Sequence, residues 1–257
     1  MSRHIHLFNL LLNREIRESY VNARLGLAWA LLLPVAMLAI YALVFTKILA
    51  IRFPESVGVG FIAFLAVAFW PWNAMADGLL RGATALSDSR SLIGKVQLPM
   101  AVVILSKVTA AFVTALLGYV VVLLLLALTG TTLYPAGIPV ALVLLLVLYL
   151  FTASLGVLLS VTQVFFTDLR YLLPPLLLLG FFLTPVLYRL EMVPVEWQPA
   201  FRLNPMAYVV TRLRDVLLTP AWQPRLTDLL LVAGVAVLGA LTVWYYRRLR
   251  PAIEEYL

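Results

Sequence analysis

Arg24-Leu25-Gly26 is the part of the sequence best suited to gripping a phosphate. A guanidinium can hold two phosphate oxygens at once, and a glycine lets the backbone approach closely. The same three residues also read as a positive anchor with a glycine turn. Aromatic rings are the second candidate. Trp70 and Trp72 flank Pro71 within an uncharged run, and Tyr119, Tyr149 and Tyr188 lie in other apolar stretches. Sugars stack their C–H faces on aromatic rings, so these residues could line a path for a glycan. The competing reading is an aromatic belt at the membrane surface.

Other chemistries are excluded or unsupported. Gly94-Lys95 is the only Gly-Lys pair, and Ser89 stands where a P-loop needs glycine, so the chain holds no such nucleotide site. Neither G-x-S-x-G nor H-E-x-x-H occurs. His4 and His6 are the only histidines and have no third ligand nearby, and there is no cysteine. No catalytic residue, no metal site and no cofactor of its own is expected.

The elements that would position these residues are set by composition. Of 257 residues, 63% are hydrophobic and only 12% charged, with a mean hydropathy of +1.02. A soluble domain carries roughly a quarter charged residues, so lipid must be the solvent for most of this chain. The net charge of +7 is explained by basic residues flanking apolar runs rather than by nucleic acid. The expected fold class is an all-α membrane protein with six transmembrane helices in a single domain over 1–257. A crossing needs about 20 apolar residues. Uncharged runs at Leu25–Thr46, Ser56–Ala76, Tyr171–Tyr188 and Leu229–Tyr246 supply four. Val108–Thr167 supplies two more, divided by the Gly- and Pro-containing turn at 129–139. The spans are expected near 27–49, 57–80, 101–129, 138–166, 171–188 and 227–246. No cleavable signal peptide is read in the first twenty residues.

The flanking segments carry further expectations. Ile5, Phe8, Leu12 and Ile16 share one face over 3–20, which predicts an amphipathic helix lying on the membrane surface. If both termini are cytoplasmic, 12 of the 19 basic residues lie inside, and five of the other seven fall in one long outer segment. The inner loop at 81–99 predicts a short helix through Lys95, N-capped by Asp88. In the outer segment at 189–228, Asn204-Pro205 predicts a helix start. That helix, of about 14 residues, is too short and too charged to cross, so a partly re-entrant hairpin is expected. The spans show no internal repeat and almost no ionisable residue, which argues against an ion-coupled carrier.

In this order the pieces resemble the type-2 permeases of ATP-binding cassette exporters, most closely the subgroup exporting O-antigen, capsule or teichoic acid. The matching residues are Arg24-Leu25-Gly26, Trp29, Pro34, Trp70 and Trp72, then Leu92-Ile93, Lys95-Val96 and Leu98-Pro99. Phe165-Phe166-Thr167-Asp168-Leu169-Arg170, Thr184-Pro185-Val186, Tyr188, Asn204-Pro205 and Arg212 follow. Two departures are Phe-Thr-Asp where the family often has Phe-Arg-Asp, and Thr184-Pro185 where it often has Ser-Pro. The resemblance implies a homodimer in the bacterial inner membrane, bound to two ATP-binding cassette subunits that hold ATP and Mg. It implies a glycan on an undecaprenyl-diphosphate-type lipid as cargo. The alternative cargo is a drug or a small lipid. Under the resemblance, Asp88, Arg90, Leu92, Ile93 and Lys95 become a coupling helix docked on the ATPase, with an interfacial helix as the other reading. Arg24, Leu25 and Gly26 would contact the lipid diphosphate. Trp70, Trp72, Tyr119 and Tyr188 would line a glycan channel. Asp168, Arg170 and Arg212 would gate it, and Asp168 and Arg170 equally read as a plain loop ion pair.

Overall fold

The computed structural model describes residues 2–18, 28–48, 60–96, 98–220 and 222–256. Among the described residues the chain is helical, with no strand. The helices are α1 (Ser2–Glu18), α2 (Trp29–Ala42, widening into a π segment at Leu43–Ile48), α3 (Phe61–Asp88), α4 (Arg90–Val96) and α5 (Met100–Leu128). They continue as α6 (Ile138–Phe165), α7 (Leu169–Phe182), α8 (Gln198–Arg202), α9 (Pro205–Leu218) and α10 (Leu226–Tyr256).

Among the described residues, four stretches are long and apolar enough to cross a bilayer: Phe61–Asp88, Met100–Leu128, Pro135–Phe165 and Leu226–Ile253. Two shorter apolar helices, Leu32–Phe45 and Leu169–Phe182, accompany them. The chain is a multi-pass membrane protein. The fourteen residues of α7 rise only about 21 Å, less than the hydrocarbon thickness. Pro174 and Pro175 within α7 remove two ladder donors, and the chain turns at Thr184-Pro185.

The helix α3 is the hub, buried against α5, α6 and α9. Lipid offers no hydrophobic drive between helices, so close packing must hold them. Small residues permit it. A Cβ on Gly82 would sit 3.1 Å from the Gly156 Cα and 2.9 Å from a Val108 methyl. A Cβ on Gly78 would sit 2.8 Å from the Thr152 methyl. One apolar cluster fills the middle and the α9 end of the bundle, around Leu65, Val67, Phe112, Leu148 and Leu213. A second joins Leu86, Ile104, Val161 and Ile253 at the other end of α3.

One local expectation, the cap of α4, is corrected. The α3 helix runs on past the expected span to Asp88. Arg81 sits one turn after Asp77 and its Nε lies 3.0 Å from that carboxylate, so the charges pair along the helix and do not break it. Asp88 is therefore the last residue of α3 rather than the N-cap of the next helix. Ser89 makes the break before α4.

Candidate functional site

The sequence-predicted residues fall into three places, and some lie outside the described residues. Arg24, Leu25 and Gly26 are in that last group. Leu92 and Lys95 belong to α4.

The first place is the end of α3 that meets α4. The Asp88 carboxylate accepts a 2.7 Å hydrogen bond from the Thr84 hydroxyl, and Lys107 Nζ of α5 lies 3.6 Å from it. The Lys107 side chain is 13% exposed, so its charge is mostly withdrawn from water and needs this partner. The Ser87 hydroxyl donates to Gln163 Oε1 of α6, a residue that is otherwise buried. Arg90, which opens α4, donates 2.8 Å from Nη2 to the Tyr256 carbonyl at the end of α10. Ile93 packs on the cluster that holds Ile253, and the Tyr256 ring meets the Phe165 ring edge-on at 5.3 Å. The junction is thus tied to α5, α6 and α10. A polar cavity of about 410 Å³ lies beside it, walled by Arg14, Glu15 and Glu18 of α1 and by Asp88, Ser91 and Lys107. Within that wall, a 2.6 Å hydrogen bond to Glu18 holds the Arg14 guanidinium above its ordinary pKa. Arg90 holds α4 to α10, while Asp88 and Ser87 hold the preceding end of α3 to α5 and α6.

The second place is the turn between α6 and α7. Asp168 and Arg170 are both exposed there. No ion pair joins them among the described residues, and the Arg170 guanidinium lies 5.9 Å from the Tyr171 ring centre. The Asp168 carbonyl accepts from the Tyr171 and Leu172 amides and so starts α7.

The third place is where α7 ends, α9 packs and α10 begins. Asn204 caps α9: its Oδ1 accepts from the Met206 amide at 3.0 Å, while its Nδ2 donates to the Thr184 hydroxyl and the Leu183 carbonyl. Arg212 is fully buried and donates from Nε and Nη2 to both oxygens of Asp228, at 3.0 and 2.8 Å. Tyr208 donates to the same carboxylate at 2.6 Å. Arg225 pairs with Asp215 at 2.9 Å, which closes a second link between α9 and the approach to α10. Arg214 turns the other way. Its Nε, Nη1 and Nη2 donate to the carbonyls of Phe64, Pro185 and Val186 at 2.8, 2.6 and 2.6 Å, and its guanidinium stacks 3.4 Å from the centre of the Phe64 ring.

The resemblance implied a gating role for Arg212 and said nothing of Arg214. The fork of Arg212 fastens α9 to α10, whereas that of Arg214 fastens α9 to α3 and to the end of α7. The only signal in the sequence was two arginines two residues apart in a helix too short to span. Their pairing yields a direct test. Replacing Arg212 by leucine and Asp228 by leucine, singly and together, should give a coupling energy of about 1–3 kcal/mol in detergent thermal unfolding. Additive losses would mean that the pair is not a clamp.

Among the aromatics, Trp72 packs edge-on to Phe181 of α7, and the Tyr119 hydroxyl donates 3.1 Å to the Val67 carbonyl. Tyr188 donates to the Phe182 carbonyl at the end of α7. Trp70 borders a cleft of about 300 Å³ between α2, α3 and α5, and Tyr119 borders a larger, apolar one of about 510 Å³ between α5 and α6.

A family model described as "ABC-2 type transporter" matches residues 6–218. The chain belongs to that family. This ABC-2 chain is also similar to proteins named "O-antigen export system permease protein RfbA". One from Myxococcus xanthus is 30% identical over 242 residues, covering 91% of this chain and 87% of that protein. Two from Klebsiella pneumoniae are 23% and 22% identical over 258 residues, covering 98% of this chain and 96% of theirs. Membership implies a partner that binds ATP, in keeping with the missing P-loop of the ABC-2 chain.

Proposed function

We propose that this chain is the membrane subunit of an ATP-binding cassette exporter that moves lipid-linked polysaccharide across the bacterial inner membrane. The observation that carries the reading is its near end-to-end similarity to proteins named O-antigen export permeases. The chain has no nucleotide motif, so the driving force comes from two separate ATPase subunits, which hold ATP and Mg. Two copies of the chain form the conduit. Each crosses six times, with α2 and α7 as the first and fifth crossings and both termini cytoplasmic. The α9 hairpin reaches partly into the membrane from the outside, which is tolerated because its buried face packs on α3 and α6. The α4 segment is the coupling element. Its bond to α10 and its place directly after the α3 end that is tied to α5 and α6 support that role, because motion of the ATPase would reach this junction first. The cargo is a glycan on an undecaprenyl-diphosphate-type carrier, met at the inner surface by Arg24-Leu25-Gly26.

The test uses the intact complex and deletion cells. Cells lacking the chain should accumulate undecaprenyl-linked glycan inside and lose it from the surface. Proteoliposomes holding chain and ATPase should move it only with ATP. Unchanged surface glycan with new drug sensitivity would transfer the reading to a drug or small-lipid exporter. Transport by the chain without any ATPase would overturn it. Because the native sequence has no cysteine, single cysteines placed at each terminus report sidedness without background. Labelling of the two ends from opposite faces would refute the six-crossing arrangement.

A further inference from the structure

Asn73, Asp77 and Arg81 stand four residues apart on α3, so they share one face with rungs about 6 Å apart. All three border a cleft of about 300 Å³ between α2, α3 and α5, whose walls also include Trp29, Trp70 and Thr114. An amide, a carboxylate and a guanidinium in one line are costly against lipid, and such residues face protein or a water-filled path. Asn73 is exposed, and its Nδ2 donates 2.8 Å to its own helix at the Phe69 carbonyl. Its Oδ1 makes no protein hydrogen bond among the described residues. The side chains of Asp77 and Arg81 pair with each other and are 43% and 33% exposed where they border the cleft.

The back of the aromatic wall is closely packed. A Cβ on Gly118 would sit 3.3 Å from Trp70 Nε1 and 2.8 Å from the Pro34 ring, so glycine lets α5 come up against α2 and fix the indole edge. Two indoles facing a ladder of hydrogen-bonding groups match a ligand with an apolar C–H face and a rim of hydroxyls. The ladder carries one negative and one positive charge, so it selects for neither sign.

We infer that the Asn73–Asp77–Arg81 stripe, with Trp29 and Trp70, is a carbohydrate-binding track through which a neutral, hydroxyl-rich glycan is drawn along α3. The inference rests on the polysaccharide reading above and assigns the residues that touch the sugar. Arg81 is the rung nearest the coupling junction, and Asn73 lies about 12 Å further along the helix. A sugar leaving one rung therefore finds the next within roughly one residue of its own chain. The track holds the glycan weakly at several points, which suits a path that must also release.

The experiment uses the chain assembled with its ATPase in nanodiscs, and in cells. The probe is the polysaccharide cleaved from its lipid carrier, so a lipid headgroup cannot account for binding. Three variants are compared: Asn73→Leu, the double Asp77→Leu/Arg81→Leu, and the double Asp77→Asn/Arg81→Gln, which keeps hydrogen-bonding groups without charge. Asn73→Leu changes one exposed side chain and serves should the leucine double fail to assemble. Both leucine variants should lower surface glycan and weaken quenching of tryptophan fluorescence by the soluble glycan about tenfold, as loss of a single good hydrogen bond implies. The Asn/Gln double should keep at least half of the export. Full export by Asn73→Leu would overturn the track. So would an Asn/Gln double as defective as the leucine double, because that marks a purely structural ion pair. A wild-type complex that exports no glycan would overturn the cargo reading and the track with it. Wild-type export alongside unaffected leucine variants would overturn the track alone.

Discussion

Arg214→Leu should leave the protein unable to hold its fold outside the membrane and unable to export. The leucine fills much of the space but supplies no donor, so three buried carbonyls at Phe64, Pro185 and Val186 lose their partner together. A hydrogen bond to a charged group contributes about 1.5–3 kcal/mol, and an abandoned buried acceptor costs its desolvation besides, so the expected loss exceeds about 3 kcal/mol. The stack on Phe64 is lost as well. Arg214→Lys keeps the charge but not the planar fork, and should fall between wild type and leucine. The readout is the midpoint of thermal aggregation in detergent, followed by surface glycan in cells. Unchanged values for Arg214→Leu would mean that the fork is an ornament on a junction held by apolar packing.

The clamp also explains which parts of the molecule were legible beforehand. Asn204-Pro205 announced α9 because capping is local chemistry: the side chain that starts the helix bonds a backbone amide two residues away. The turn between α5 and α6 was legible for the same reason, with Gly and Pro at its centre. The partners of Arg214 could not be read, since a carbonyl leaves no mark in a sequence and two of these come from residues 28 and 29 positions earlier. Asp88 was misplaced as a cap because its real partners, Thr84 and Lys107, lie one turn back and on another helix. Charge did not mark the end of α3 either, since Asp77 and Arg81 neutralise each other along one helix face. Thus periodicity and local caps foretold the elements, while the polar ties between elements needed three dimensions.

Gly137→Ala should be nearly as damaging as Arg214→Leu, although it adds a single methyl group. Gly137 has φ −82°, a value that alanine adopts without strain. The obstacle is space: a Cβ there would lie 1.7 Å from the Val216 carbonyl oxygen and 2.5 Å from its carbon. Backbone cannot rotate away as a flexible side chain can, so α9 must shift bodily from the start of α6. That shift would strain the 3.0 Å bond from the Tyr134 amide to the Leu217 carbonyl, and it would move the helix that carries Arg212 and Arg214. A loss of about 3 kcal/mol, the upper end for overpacking, is expected. Gly130 provides the internal control with the opposite cause. Its φ of +90° is strained for any other residue, but open space surrounds it. Gly130→Ala should therefore cost only about 1 kcal/mol, confined to the turn. Detergent melting of the two variants side by side decides the matter. If Gly130→Ala proves the worse, turn geometry rather than the fit of α9 against α6 holds this face together, and both arginine clamps lose the fixed helix on which they depend.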